Sequence, residues 1–247
     1  MRIAFTIIYN QLHQLQFMGF TDFMLKNFDH WVVVDGLAGN GGSTSWCKDL
    51  NLDFKSTDGT VEYMRSLKSD TVHFIEAERK WDSKDEMVEA AIVKIRELAR
   101  ACTLYQVDSD EHWTEDGMMR AERFLKGTDR KCVSITPIHY VSTNRVAMGQ
   151  WVTKVNRVWK WKGESFISHE PAVIYGQSKA LAIPVSFNHY SYIFDKDIIF
   201  KEKLYGYTGL YSKWKSFQDS IEDELPITAL FDKDHPIGKS KTKLVKI

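Results

Sequence analysis

An α/β fold, with a mainly parallel sheet flanked by helices and a less regular α+β C-terminal half, is predicted by three observations. Short β-branched runs alternate with stretches of helical periodicity over residues 1–140. Several of those runs end in polar or acidic residues, and beyond residue 140 the pattern changes to short, Trp-rich strand candidates.

The first run, Ile3 to Ile8, fits a buried strand, and His30 to Val34 is a second one ending at Asp35-Gly36. Between them, Leu12 to Asn27 carries Leu15, Met18, Phe23 and Met24, with Phe28 just beyond, as one helical stripe. The segment LAGNGGSTSW after Asp35-Gly36 is glycine-rich and polar, which predicts a surface loop long enough to be functional. Val61, Met64 and Leu67 recur at helical spacing after STDGT, and Val72 to Ile75 is a further strand. The clearest helix follows, with Ser83 and Glu86 as a capping box and a stripe of Val88, Ala91, Ile92, Ile95, Leu98 and Ala99. It leads into the strand Thr103 to Val107, which breaks into Asp108, Ser109, Asp110 and Glu111. Thr114 caps a helix carrying Met118, Ala121, Phe124 and Leu125, and Cys132 to Ile138 is the next strand.

The later half offers the strand candidates GQWVTKV and RVWKWK, then a helical region after Asp195. The lysine-rich GKSKTKLVKI reads as a solvated, frayed tail. A single domain over residues 1–247 is expected, in three stretches: a regular α/β half (1–140), an irregular α+β half (141–220) and a C-terminal extension (221–247).

With 33 basic against 33 acidic residues, no global field favours a nucleic acid polymer or an acidic membrane. The apolar content of 43% is that of an ordinary globular chain. Cys47, Cys102 and Cys132 are odd in number and widely spaced, which predicts free thiols and a reducing, cytoplasmic setting. There is no apolar span of membrane length.

In parallel α/β sheets, ligands bind beyond the carboxyl ends of the strands, and Asn10, Asp35, Asp58, Lys84 and Asp108 to Glu111 fall at such ends or in the helix starts that follow them. Asp-Ser-Asp is a natural arrangement for a hard divalent cation, with diphosphate oxygens completing the shell. A D-x-D triplet is also common in solvated turns, so its place behind an apolar strand carries more weight than its composition. His169-Glu170-Pro171 and Asn188-His189-Tyr190 are the other candidates, since a carboxylate beside a bound hydroxyl can act as a general base. Trp151, Trp159, Trp161, Tyr190 and Tyr192 read mainly as core, although an exposed ring among them would suit the apolar face of a sugar.

Taken in order, IAFTIIYN, VVVDG, STDGT and DSDE, with the later HEP, NHYSY and KEKLYGY, resemble the family 2-type glycosyltransferases of GT-A fold, in a bacterial and phage-like subset. The resemblance implies a hexosyltransferase-type enzyme that takes a nucleotide sugar and a carbohydrate or other hydroxyl acceptor, with Mn²⁺ or Mg²⁺ as cofactor. Thr6 to Tyr9 and Asp35 would hold the base and ribose, although the LAGNGGSTSW loop leaves Asp35 and Asp58 as alternatives for that acid. Lys84 would approach the diphosphate. Asp108, Ser109 and Asp110 match the D-x-D, with Asp110 the direct metal ligand and Asp108 between metal and ribose. His189, ahead of His169, would complete the metal site, and Glu170 would deprotonate the acceptor in an inverting reaction. Three other readings compete with it: a non-catalytic nucleotide- or carbohydrate-binding protein of the same fold, a nucleotidyltransferase, and a metal-dependent hydrolase. The nucleotidyltransferase lacks its glycine-rich basic loop in YNQLHQLQ, and the hydrolase lacks clustered ligands.

Overall fold

The computed structural model describes residues 1–247. The first half runs β1 (Arg2–Ile8), α1 (Leu12–Gln16), α2 (Phe20–Asn27), β2 (His30–Asp35), α3 (Thr60–Leu67), β3 (Val72–Ile75), α4 (Lys84–Leu98), β4 (Cys102–Gln106), β5 (Glu111–His112) and α5 (Glu115–Lys126). The second half runs β6 (Cys132–Ser142), β7 (Arg145–Gly149), β8 (Val155–Trp161), β9 (Phe166–Ser168), β10 (Val173–Ile174) and β11 (Leu181–His189). It ends with α6 (Asp195–Tyr205), α7 (Leu210–Gln218), β12 (Glu224–Pro226) and β13 (Thr242–Lys246).

The main sheet has eleven strands in the order β12-β13-β7-β6-β8-β4-β1-β2-β3, with β11 beside β6 and β5 on β11. The four strands β3, β2, β1 and β4 are parallel, and β8 inserts antiparallel between β4 and β6. This is the mixed, mainly parallel α/β sheet that the alternating pattern predicts. Because both faces of its centre are covered, the strands are apolar throughout rather than alternating. Ala4, Ile8, Trp31 and Val33 pack on one side against Leu15, Phe20 and Met24, while Ile3, Phe5, Val32 and Val34 pack on the other against Met87, Val88, Ala91 and Ile95 of α4. A third cluster, around Tyr192, Trp214, Phe231 and Leu244, forms under the later strands.

Three expectations are corrected. The helix foreseen over Leu12 to Asn27 is broken in two, because Met18 and Gly19 adopt positive φ (45° and 73°), and Met18 is 69% exposed rather than part of the apolar stripe. In the capping box, Ser83 Oγ accepts from the Glu86 amide at 3.1 Å, but Glu86 reaches one residue further back, to the amide of Asp82 at 2.7 Å. The C-terminal segment is not frayed: Thr242–Lys246 pairs with β7 and β12. Lysines alternate there with Thr242 and Leu244, both buried, so a period of two was present in a segment read by its charge. Leu244→Ala is therefore expected to cost about 2–5 kcal/mol in urea unfolding, against less than about 0.5 kcal/mol for a solvated tail.

Candidate active site at the switch point of the sheet

The strand order reverses between β1 and β4, so the loops leaving these two parallel neighbours diverge and open a crevice. A cleft of about 660 Å³ lies there, with Tyr9 and Gln11 after β1 and Asp108, Ser109 and Asp110 after β4 in its wall. Ser109 Oγ donates to Gln11 Oε1 at 3.1 Å, tying the two loops across the switch point. Lys84, His169, Glu170 and His189 line the same cleft. Residues separated by up to 180 positions in sequence are thus brought to one cavity.

The pairing of β5 with β11 places His189 opposite Glu111, and the Tyr190 amide donates to the Asp110 carbonyl at 2.7 Å. This register carries His189 Nε2 to 3.4 Å from Asp110 Oδ2. Burial opposes charge on Asp110, but the charge and hydrogen bond of His189 outweigh it and hold the carboxyl well below the usual range. Burial likewise opposes charge on His189, yet Asp110 lifts it above the ordinary imidazole value. Behind it, His139 Nδ1 lies 2.8 Å from His189 Nδ1 and its ring stacks on Trp151. Burial, reinforced by the nearby His189, drives His139 down to about 3, so it is neutral and its Nδ1 can accept a hydrogen bond from His189 Nδ1–H.

Metal–oxygen and metal–nitrogen bonds of about 2.0–2.2 Å put neighbouring ligands roughly 3 Å apart, so the spacing of Asp110 and His189 suits two ligands of one divalent ion. No group of three or more His, Cys, Asp or Glu side chains converges to hold a metal by itself. The Asp110 carboxylate suits an ion of the Mg²⁺ or Mn²⁺ type, which takes one or two carboxylates and completes its shell with phosphate oxygens and water, and the His189 imidazole is the softer ligand of the pair.

Asp108 and Glu111 are held from a direction that spacing does not reveal. Arg157 of β8 donates through Nε to both Glu111 oxygens at 2.9 and 3.1 Å, and its Nη2 donates to Asp108 Oδ2 at 3.1 Å. Glu111 is 1% exposed and held by Arg157, so it braces the loop. Asp108 divides its carboxylate between this brace and the cleft. Arg157→Met would leave buried carboxylate charge unpaired and is expected to cost about 3–5 kcal/mol in denaturant unfolding.

The opposite wall is organised by Asp85, in the first turn of α4. It accepts from the Ser43 amide and hydroxyl, both at 2.6 Å, and from the His169 amide at 2.7 Å. Ser43 Oγ accepts from the Glu170 amide at 3.1 Å. A Cβ on Gly42, whose φ is +58°, would lie 2.0 Å from Asp85 Oδ2, so this turn of the glycine-rich loop needs glycine to reach the carboxylate. The loop therefore fixes the backbone of His169 and Glu170 and leaves the Glu170 side chain exposed. His169 is buried, and burial followed by the Lys84 charge brings it down to about 4, which makes it a neutral packing residue.

Three of the sequence candidates face elsewhere. Thr6 is fully buried and accepts from Trp31 Nε1 at 2.8 Å. Asp35 is fully buried and accepts from the Ser56 amide and hydroxyl, holding the far end of the loop. Asp58 lies just before the Gly59 N-cap of α3 and accepts from the Thr60 amide at 3.1 Å and from the Leu12 amide at 3.2 Å. None of the three lines the cleft. Residues that the sequence did not single out do line it: Arg157, Lys201 and Asp197. Asp197, at the start of α6, accepts from His13, Gln14 and Gln11 at 2.9, 2.8 and 3.2 Å, docking α6 and its Lys201 against the β1 loop.

No family model and no curated protein matches the chain. Among solved structures it is similar to S. aureus TarS 1–349, at 11% identity over 89% of this chain and 72% of that one, with a TM-score of 0.42. It is also similar to Francisella tularensis 2-C-methyl-D-erythritol 4-phosphate cytidylyltransferase, at 13% identity over 66% and 68% of the two chains, with a TM-score of 0.36. No helix is long and apolar enough to cross a membrane.

Proposed function

We propose that the chain is a glycosyltransferase that moves a sugar from a nucleoside-diphosphate sugar to an acceptor hydroxyl with inversion, using Mn²⁺ or Mg²⁺. The observation that carries this reading is the grouping of Asp110 with His189, Lys84 and Glu170 around one cleft at the switch point of the sheet. Asp110 and His189 would hold the cation, with Asp108 and Ser109 turned toward the ribose and Tyr9 toward the base. A divalent ion bound there supplies positive charge to the departing diphosphate. Lys84 and Lys201, which line the same cleft, add fixed cations. Glu170 takes the proton of the attacking hydroxyl, which approaches the anomeric carbon from the face opposite the diphosphate.

A non-catalytic binder of the same ligands is favoured by one observation, the commitment of Asp108 to Arg157. Two measurements separate the readings. A thermal-shift screen of nucleoside diphosphates with Mn²⁺ should raise Tm by about 5–10 °C at about 100 times Kd for the cognate nucleotide. Slow hydrolysis of the matching nucleotide sugar without acceptor would then mark an enzyme. No shift with any nucleotide would overturn both readings.

A further inference from the structure

The loop between β2 and α3 does more than pin Glu170. Three residues beyond Ser43, Trp46 is 53% exposed on the cleft, and two residues further on, the Lys48 amide donates to the Leu204 carbonyl at 2.7 Å. The loop is thereby bracketed between the Glu170 backbone and the last turn of α6. Within this bracket the Trp46 ring stacks on Tyr205, with centroids 5.0 Å apart and planes at 27°. One face of the indole is backed and the other is open. Burial pushes the Tyr205 phenol up to about 12, so its hydroxyl stays protonated as a donor. Across the cleft, the uncharged polar residues Gln150, Thr153 and Ser240 contribute to the wall.

An exposed aromatic face in a cleft whose wall mixes apolar side chains with hydrogen-bonding ones has a specific complement. A pyranose offers an apolar face of axial C–H bonds and a rim of hydroxyls. An acyl chain would leave Gln150, Thr153 and Ser240 without hydrogen-bond partners.

We propose that Trp46, backed by Tyr205, is a stacking shelf for the ring of a carbohydrate acceptor, which places an acceptor hydroxyl beside Glu170. The inference rests on the glycosyltransferase reading for the direction of transfer, but the shelf itself is tested without turnover.

The test is saturation-transfer NMR on the whole protein with methyl β-D-glucopyranoside, methyl β-D-galactopyranoside and N-acetylglucosamine, with ribitol and uridine as controls. At least one pyranoside should receive saturation, strongest on the C–H protons of one ring face. Trp46→Ala should weaken that binding about tenfold or more, and Trp46→Phe should restore most of it. The thermal shift given by a nucleoside diphosphate with Mn²⁺ should be the same in wild type and Trp46→Ala, which also reports that the variant is folded.

Absence of saturation for every pyranoside, or equal saturation in Trp46→Ala, overturns the proposal. So does loss of the nucleotide shift in Trp46→Ala together with uridine saturation in wild type, which assigns the shelf to the donor's base. Pyranoside binding that depends on Trp46, with no nucleotide shift in wild type, keeps the shelf and removes the glycosyltransferase reading.

Discussion

Asp110→Asn is expected to lower metal-dependent transfer by about 10²–10⁴-fold, with the fold retained. A divalent ion at a departing diphosphate contributes several kcal/mol of transition-state stabilisation, and each 1.36 kcal/mol is a factor of ten in rate. Asparagine keeps the shape of the side chain, so the β5–β11 pairing and the Tyr190 bond to the Asp110 carbonyl survive. What is lost is the negative charge facing His189. The stability cost should be that of one charge-assisted hydrogen bond, about 1–3 kcal/mol. The check is transfer rate against Mn²⁺ concentration, with a circular-dichroism melt in parallel. Unchanged turnover at every metal concentration would remove the ion from the mechanism.

Glu170→Gln should lower transfer by about 10²–10⁴-fold, the range supplied by a positioned general base, while nucleoside-diphosphate affinity changes by less than about twofold. The Glu170 backbone is held by Ser43, not by its own carboxylate, so the amide can take the same place. His169, the neighbouring alternative, is buried and brought down to about 4 by burial and the Lys84 charge, which leaves Glu170 as the proposed base. Single-turnover transfer and nucleotide titration, measured on one preparation, test both halves. A large loss of nucleotide affinity would mean that Glu170 organises the loop rather than accepts a proton.

The two expectations come from different kinds of information. The strands of the first half are legible because they are apolar on both faces, and the acidic loop is legible because it follows one of them. His189 and Glu170 came through the family resemblance, and the β5–β11 register and the Asp85–Ser43 staple give them a physical setting. Asp35 looks like a ligand residue in sequence because it ends a strand, Asp58 because it opens a helix, and Thr6 through the resemblance. Each instead spends its oxygen on an internal donor. Arg157, Asp85 and Asp197 are silent in the sequence, since they act through partners between 42 and 186 positions away. Met18 shows the opposite failure: a helical stripe continues through it on paper, while a backbone break turns it to solvent. The buried Trp159 and Trp161 are core, as their strand suggested, whereas the exposed indole lies on a loop that was read for its glycines.

β6 has a consequence for how the molecule opens. Its eleven residues pass the change in sequence pattern near residue 140, pairing first with β8 and β11 and then, through Tyr140 and Ser142, with β7. One strand therefore belongs at once to the sheet behind Asp110 and to the cluster around Trp214. Its central amides should exchange with deuterium only through global unfolding, and no fluctuation can release one half while the other stays closed.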